Sequence, residues 1–397
     1  MKYETYTASS GLRFVTAKTT TNTITVLYAV AVGSNFEKKG EYGIAHLLEH
    51  VIFEGTKSFK TAQCISELVE HVGGELNAAT SKNQTMFYIK VPIQHAKRAI
   101  DVLSQLITEP LLTTQALAKE KEIVCREIDL YNDDPKHFQW QVFEKALFST
   151  HPAKRTIAAT KNSVSRITQK QLKEFHNTYY CAQNSVVVLV GPISTELKRY
   201  AYKKFSPLKK KKLPKHLFPI DSQKQRNKIQ KIAVKQTYLM QGFIAPNSTT
   251  NQSYVFDILE SLFSKGQSGW LFDECRNKRA LAYDVRTIYD ADVTGSFFVS
   301  NIITERKNIT ESLRILQELY DRVQTLTQGE LDIAKTYLIG RFYMELENPL
   351  ALAQHLAEST LYSLKEYVRE IQKVSLMQVK RVAKKYLQNP TTIVLTQ

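Results

Sequence analysis

No stretch of this chain approaches the roughly 18 consecutive apolar residues of a membrane-spanning helix, although hydrophobic residues fill 43% of its 397 positions. That content is ample for two domains with separate cores. The opening residues, Met1 to Thr7, lack the basic-then-apolar layout of a secretory signal. Only four cysteines are present, Cys64, Cys125, Cys181 and Cys275, and none stands in CxxC spacing. A dense disulfide framework is therefore excluded and free thiols in a reducing compartment are expected. That favours the cytoplasm, with a mitochondrial-type organelle matrix as the alternative. No GxSxG elbow is found, so a serine nucleophile of that type has no support. Acidic residues are outnumbered, 38 against 54 Lys and Arg, giving a formal net charge of +16. The densest part of the excess, Lys209 to Lys212, lies among Pro207, Pro214 and Pro219. Prolines and like charges disfavour regular structure, and no aromatics interleave as a nucleic-acid surface would need. Residues 201–222 read as a solvated linker, with no nucleic-acid partner expected.

What the chain does have is His46-Leu47-Leu48-Glu49-His50, set in an apolar run. On a helix, positions i and i+4 share a face, so two imidazoles can meet one metal while Glu49 leans out beside them. This HxxEH order is the inverted form of the zincin motif. Two histidines make an incomplete site, because a catalytic zinc normally takes three protein ligands and leaves one position open. Downstream, Lys119 to Asp129 reads as a helix rich in carboxylates, with Glu120 and Glu127 seven residues apart on one face. Taken alone, that segment reads as an ordinary charged, solvated helix.

Seventy-six residues separate His50 from Glu127, and Glu120 precedes Glu127 by seven. With the HxxEH motif, this spacing resembles the pitrilysin and insulinase family of zinc metallopeptidases, in its short two-domain bacterial or mitochondrial-processing-peptidase-like branch. The resemblance implies one Zn2+ per chain held by His46, His50 and Glu127. It implies Glu49 as general base and Glu120 as the carboxylate that orients the site, in line with the need of metal ligands for outer partners. Two neutral imidazoles and one carboxylate leave zinc with net positive charge, which acidifies water, and Glu49 can take the proton and return it to the departing amine. The expected reaction is hydrolysis of peptide bonds in small or unfolded peptides.

Other segments fit the same resemblance. Val72 to Ser81 precedes an extended run, Thr85 to Val91, and its glycines suggest a turn into a strand. In relatives the matching Asn-Ala stretch lies on a sheet edge to which substrate adds as a strand, which implies substrate binding by Asn77 and Ala78. Asn83 stands where many relatives carry Asp. In the second half, Arg276 and Tyr283 match a family pair that holds a substrate carbonyl and the developing oxyanion. An ordinary basic helix end followed by a strand is the competing reading of the same residues. Ala280 replaces a usual glycine there, and Trp270 stands where relatives often have Arg.

The halves also read as diverged copies of one unit. Thr23 to Val30 and Gln236 to Phe243 are both strand-like, and each is followed by an apolar helix. In the second copy Asp257-Ile258-Leu259-Glu260-Ser261 takes the place of the motif, without imidazoles. The expected fold is α+β: two homologous α/β-roll-like domains, each a mixed sheet covered by helices. The expected division is 1–200 for the zinc-binding domain, 201–222 for the linker and 223–397 for the domain with the Arg/Tyr pair. Single-chain relatives with a closed clam-shell chamber hold four such domains, so the resemblance implies completion by a second subunit. A homodimer is expected, or a heterodimer with a homologous subunit. The competing functional reading is a non-catalytic structural or partner subunit, against which the intact His46, Glu49, His50 and Glu127 argue.

Relatives that process mitochondrial presequences act on basic peptides, whereas a chain of net charge +16 repels them in the absence of a locally acidic chamber. Acidic or neutral peptides are therefore expected to be cut faster. Initial rates on matched acidic and basic peptides check this, and faster cleavage of the basic set would sink it.

Overall fold

The computed structural model describes residues 2–219, 221–222, 224, 226–358 and 364–397. It divides into two compact units, each assembled from three chain segments. The first takes Met1–Asp129, Thr156–Leu217 and Glu345–Thr360, and the second takes Leu130–Arg155, Phe218–Met344 and Leu361–Gln397. Within the Lys/Pro-rich stretch 201–222, the first residues still belong to the helix Thr195–Phe205, and one unit boundary falls between Leu217 and Phe218. Among the described residues no helix is long and apolar enough to cross a membrane.

The first unit is built on strands β1 (Tyr3–Thr7), β2 (Arg13–Lys18), β3 (Thr23–Val30), β4 (Glu75–Thr80), β5 (Thr85–Pro92) and β6 (Ser185–Gly191). They form one sheet in the order β1-β2-β6-β3-β5-β4. Only the β2–β6 pair is parallel. β6 is mostly valine and leucine, Val186 to Val190, and all seven of its residues are buried. Successive side chains of a strand point to opposite faces, so such a run demands cover on both sides. One face packs with Leu47 and Leu48 of the helix Ile44–Ile52 and with Leu103 and Leu106 of the helix Ala96–Thr108. The helix Pro349–Glu358 packs against β3 and β6 and buries Leu352, Ala353, Leu356 and Ala357. Its last turn is tied down by Arg13, whose Nη2 donates to the Ala357 carbonyl at 3.1 Å. β4, with β5 as its single partner, is an edge strand and alternates between exposed and half-buried positions.

The second unit repeats the plan with β7 (Arg226–Lys231), β8 (Thr237–Ile244), β9 (Ala282–Asp290), β10 (Phe297–Thr304) and β11 (Thr391–Thr396), ordered β7-β11-β8-β10-β9. Its one parallel pair, β11–β7, stands where β2–β6 stands in the first sheet. In each sheet a long central strand, β3 or β8, leads in sequence toward an apolar helix, Ile44–Ile52 in the first unit and Ser253–Ser264 in the second. The mixed α/β architecture read from the sequence is thus observed. The second face of this sheet is covered by the helix Pro135–Leu147, whose Val142, Phe143 and Leu147 pack with Met240, Val299, Ile393 and Leu395. Gly242 permits the approach, since a Cβ there would lie 2.6 Å from the Phe143 ring. Gln139 of the same helix accepts a 2.5 Å hydrogen bond from the Asn301 amide.

The helix Ser253–Ser264 carries Asp257 and Glu260, both partly buried, with the Tyr367 hydroxyl donating to Asp257 at 3.2 Å. Burial pushes both carboxyls up to about 7, and the Glu260 charge adds to the rise at Asp257. Between the ordinary carboxylate range near 4 and these raised values, the folded state holds more protons than the unfolded one. Stability therefore falls as pH rises through that window and levels off above it. Each pH unit in the window is worth about 1.4 kcal/mol per fully shifted group. Between pH 5 and pH 8, the wild type is expected to lose on the order of a few kcal/mol relative to the Asp257→Asn, Glu260→Gln double variant. Urea-unfolding midpoints at both pH values check this; parallel profiles would overturn it.

Candidate metal centre

The motif helix Ile44–Ile52 is short, and its sequence leaves little freedom in how it sits. Ile44, Ala45, Leu47, Leu48, Val51 and Ile52 are all buried in the first unit's core. His46, Glu49 and His50 remain for the opposite side. No side chain next to the helix caps it, and it starts from Gly43 at φ 93, a left-handed conformation suited to glycine. Its first amides are met by a residue from farther back. Glu37, itself buried, accepts from Gly43 N at 2.9 Å and from Ala45 N at 3.0 Å. A carboxylate at a helix start satisfies orphan N–H groups and opposes the helix dipole.

The third protein group comes from the helix Thr114–Asp133, whose buried stripe runs through Ala116, Leu117, Glu120, Val124 and Ile128. Nε2 of His46 and Nε2 of His50 lie 3.3 Å apart. Glu127 Oε2 lies 3.7 Å from the first and 3.6 Å from the second. Tetrahedral coordination at 2.0–2.1 Å sets ligand atoms about 3.3–3.4 Å apart, so the pair of nitrogens already has a zinc-like spacing and the carboxylate is within a small adjustment of it. Among the described residues this is the one group of three or more His, Cys, Asp and Glu side chains close enough to hold a metal ion.

The surroundings set the state of each of these groups. Glu120 Oε2 lies 3.1 Å from Nδ1 of His50; with the ring proton on that nitrogen, the Nε2 lone pair is left toward His46. Burial pushes the His46 imidazole down to about 4, so it is neutral near pH 7 and able to donate a lone pair to a cation. At His50 burial acts downward, but the Glu120 hydrogen bond and the surrounding Glu49, Glu127 and Glu120 charges hold it above its ordinary value. Burial acts to raise Glu120, yet the His50 hydrogen bond and the His50 and Lys119 charges hold it low. Lys119 Nζ also sits 2.7 Å from Glu54 and 3.7 Å from Glu120. Glu49 is pushed up by burial, against a hydrogen bond from the Thr80 hydroxyl. Two imidazole nitrogens beside a carboxylate are a donor set that suits zinc.

Of the residues singled out in the sequence, His46, Glu49, His50, Glu120 and Glu127 are thus brought together in the first unit. Asn77 and Ala78 lie on the edge strand β4, opposite Tyr88 and Phe87 of β5, and the Asn77 Oδ1 accepts from Ala78 N at 2.8 Å. Asn83 accepts at 3.1 Å from the Asn35 amide, closing the turn that follows β4. Arg276 and Tyr283 belong to the second unit. There the Arg276 guanidinium lies 3.5 Å from the Tyr283 carbonyl and 5.3 Å from the Phe272 ring. The Tyr283 side chain is exposed, its hydroxyl 3.3 Å from Glu305. Trp270 is a core residue, packed on Phe263 at 5.6 Å with the Arg322 guanidinium 4.2 Å over its ring. Glu37, Thr80 and Lys119 were missed by sequence reasoning. Glu37 and Thr80 lie outside the motif, and Lys119, beside Glu120, had no feature that set it apart from the other lysines of its helix.

The sequence model described as insulinase, peptidase family M16, matches residues 13–161. The model of the peptidase M16 inactive domain matches residues 166–338, the region in which Asp257 to Ser261 replaces the motif. The chain belongs to this peptidase family. It is similar to the uncharacterized zinc protease YmxG of Bacillus subtilis, 26% identical over 393 residues that cover 96% of this chain and 94% of that one. It is also similar to the zinc protease PqqE of Helicobacter pylori, 26% identical over 417 residues covering 99% and 93%. Among solved structures, a protease from Helicobacter pylori matches over the whole of both chains with a TM-score of 0.92 at 25% identity. A peptidase M16 inactive domain protein from Pseudomonas fluorescens shares the fold, with a TM-score of 0.90 at 20% identity over 100% of this chain and 98% of that one.

Ala280, between Arg276 and Tyr283, holds a left-handed φ of 51 where its N–H bonds the Arg276 carbonyl and the following N–H bonds Cys275. That conformation costs a non-glycine residue roughly 1–2 kcal/mol, against roughly 0.5–1 kcal/mol of extra chain entropy for glycine. Ala280→Gly is expected to raise stability by roughly 0.5–1 kcal/mol. A urea-unfolding midpoint at or below the wild-type value would contradict this.

Proposed function

We propose that this chain is a zinc-dependent endopeptidase of small or unfolded peptides, with one Zn2+ per chain held by His46, His50 and Glu127. The observation that carries the reading is the convergence of two imidazole Nε2 atoms and one carboxylate oxygen within 3.3–3.7 Å, with Glu49 one residue before His50. The relatives named as zinc proteases support it. When bound, zinc polarises the scissile carbonyl and acidifies water. Glu49 acts as general base and then returns the proton to the departing amine. Glu120 fixes the tautomer and orientation of His50 through Nδ1. Asn77 and Ala78, on the open edge of the sheet, take the peptide as an added strand through backbone hydrogen bonds, which read side chains weakly. Arg276 is assigned to a substrate carbonyl and Tyr283 to the developing oxyanion. A homodimer, or a heterodimer with a homologous subunit, completes the working enzyme, and the cytoplasm is its proposed location.

Zinc content and hydrolysis of an unstructured quenched-fluorescent peptide, measured on the wild type and on Glu49→Gln, test the reading. Both proteins are expected to hold zinc, and the variant to lose roughly 10²-fold or more in kcat. A wild type without zinc, or equal turnover in the two proteins, overturns the assignment.

A further inference from the structure

We infer that Thr80 is a positioning residue for Glu49, its hydroxyl setting the direction of the carboxylate that serves as base; this rests on the peptidase reading above. Thr80 Oγ1 donates to Glu49 Oε2 at 2.5 Å. Among the described residues it is the only hydrogen bond or ion pair of the Glu49 side chain. Glu49 is 9% exposed, so water offers few competing donors. One oxygen is thereby anchored and the other is left for the proton in transit.

Thr80 is well placed to act as a fixed point. It closes β4, paired in register with Thr85 of β5. Thr85 is fully buried and donates through its own hydroxyl to the Val32 carbonyl at 2.9 Å. The connecting turn is held by Ser81 N to Gln84 O at 2.7 Å, and it is pinned from outside by Ser34 N to Ser81 O and Asn35 N to Lys82 O. A β-branched side chain on so constrained a backbone has little rotamer freedom. Glutamate, with three rotatable bonds, has much more. The ordered partner therefore orients the flexible one. The same strand carries Asn77 and Ala78, so the hydroxyl also links the base to the strand assigned to hold the peptide. Misplacing a reacting group by about 1 Å can cost on the order of 10² in rate.

The test has two arms. In metal-free protein, Thr80→Val and Glu49→Ala are combined in a double-mutant cycle read by urea-unfolding midpoints. Thr80→Val is expected to lower the midpoint in the wild-type background and to change it less when Glu49 is already Ala; additive shifts overturn the inference. In zinc-loaded protein, Thr80→Val is expected to lose about 10- to 100-fold in kcat with KM within about 3-fold and zinc content unchanged. Thr80→Ser, which keeps the hydroxyl, is expected to stay within about 3-fold of wild type. Unchanged kcat in Thr80→Val overturns the role, as does a rise confined to KM or a Thr80→Ser variant as slow as Thr80→Val. A wild type that holds zinc and cuts no peptide overturns the peptidase reading, and with it the catalytic meaning of the contact, while a non-additive cycle still reports the contact itself.

Discussion

The site depends on the burial of one face of a nine-residue helix. Six apolar side chains of Ile44–Ile52 enter the first unit's core, and each of the five Ile, Leu and Val side chains contributes about 1.5–3 kcal/mol when fully buried. An isolated helix of this length is not stable in water, so packing holds it, with Glu37 meeting its first amides. Because the apolar face is fixed, the direction of His46, Glu49 and His50 is fixed with it. The second helix is constrained in the same way, through a stripe that includes Glu120. Two turns separate Glu120 from Glu127, and the His50 ring spans that gap, with Nδ1 facing the first carboxylate and Nε2 the second. One imidazole thus ties the support of the site to its ligand set.

A second constraint explains why neither unit is one continuous piece of chain. β6 and β10 are buried at every residue, and a sheet with apolar groups on both faces must be covered twice. In each unit the further cover is a helix that follows, in sequence, material belonging to the other unit: Pro349–Glu358 over the first sheet and Pro135–Leu147 over the second. Apart from β1, the two sheets share order and strand sense, yet of the helices that follow β3 and β8 only the first carries imidazoles. In the second, Asp257 and Glu260 occupy that helix, and Tyr367 rather than a metal-type donor set meets Asp257. The scaffold repeats, while the cluster of two imidazoles and a carboxylate is, among the described residues, found in the first copy.

Much of the centre was legible because it is local. The i, i+4 histidines are a helix periodicity, whereas Glu120 and Glu127, on spacing alone part of an ordinary charged helix, were singled out through the family resemblance; the helices form where both patterns run. The strands Thr23–Val30 and Thr85–Pro92 were legible as apolar or alternating runs. What the sequence could not show is which distant segment meets which. Pro135–Leu147 and Pro349–Glu358 are ordinary apolar-rich helices until the sheets they cover are known. Glu37 and Thr80 act over 6 to 31 residues by contacts that tertiary packing alone creates. Trp270, noted in the sequence only as standing where relatives often have Arg, is a core residue whose large aromatic side chain fills space beside Phe263.

Charge gives the final reason for reading a cation into this cluster. The chain as a whole is basic, at +16, but the first unit gathers Glu49, Glu120 and Glu127 around two imidazoles, one of them held neutral by burial. Lys119, itself mostly exposed, is shared between Glu120 and Glu54 and offsets little of this. Buried carboxylates are costly without a compensating charge. A divalent cation at the nitrogens supplies that charge where the carboxylates converge, and binding that favours the folded state stabilises it by mass action. The local acidity that would favour such a cation is thus independent of the net charge, which acts at longer range.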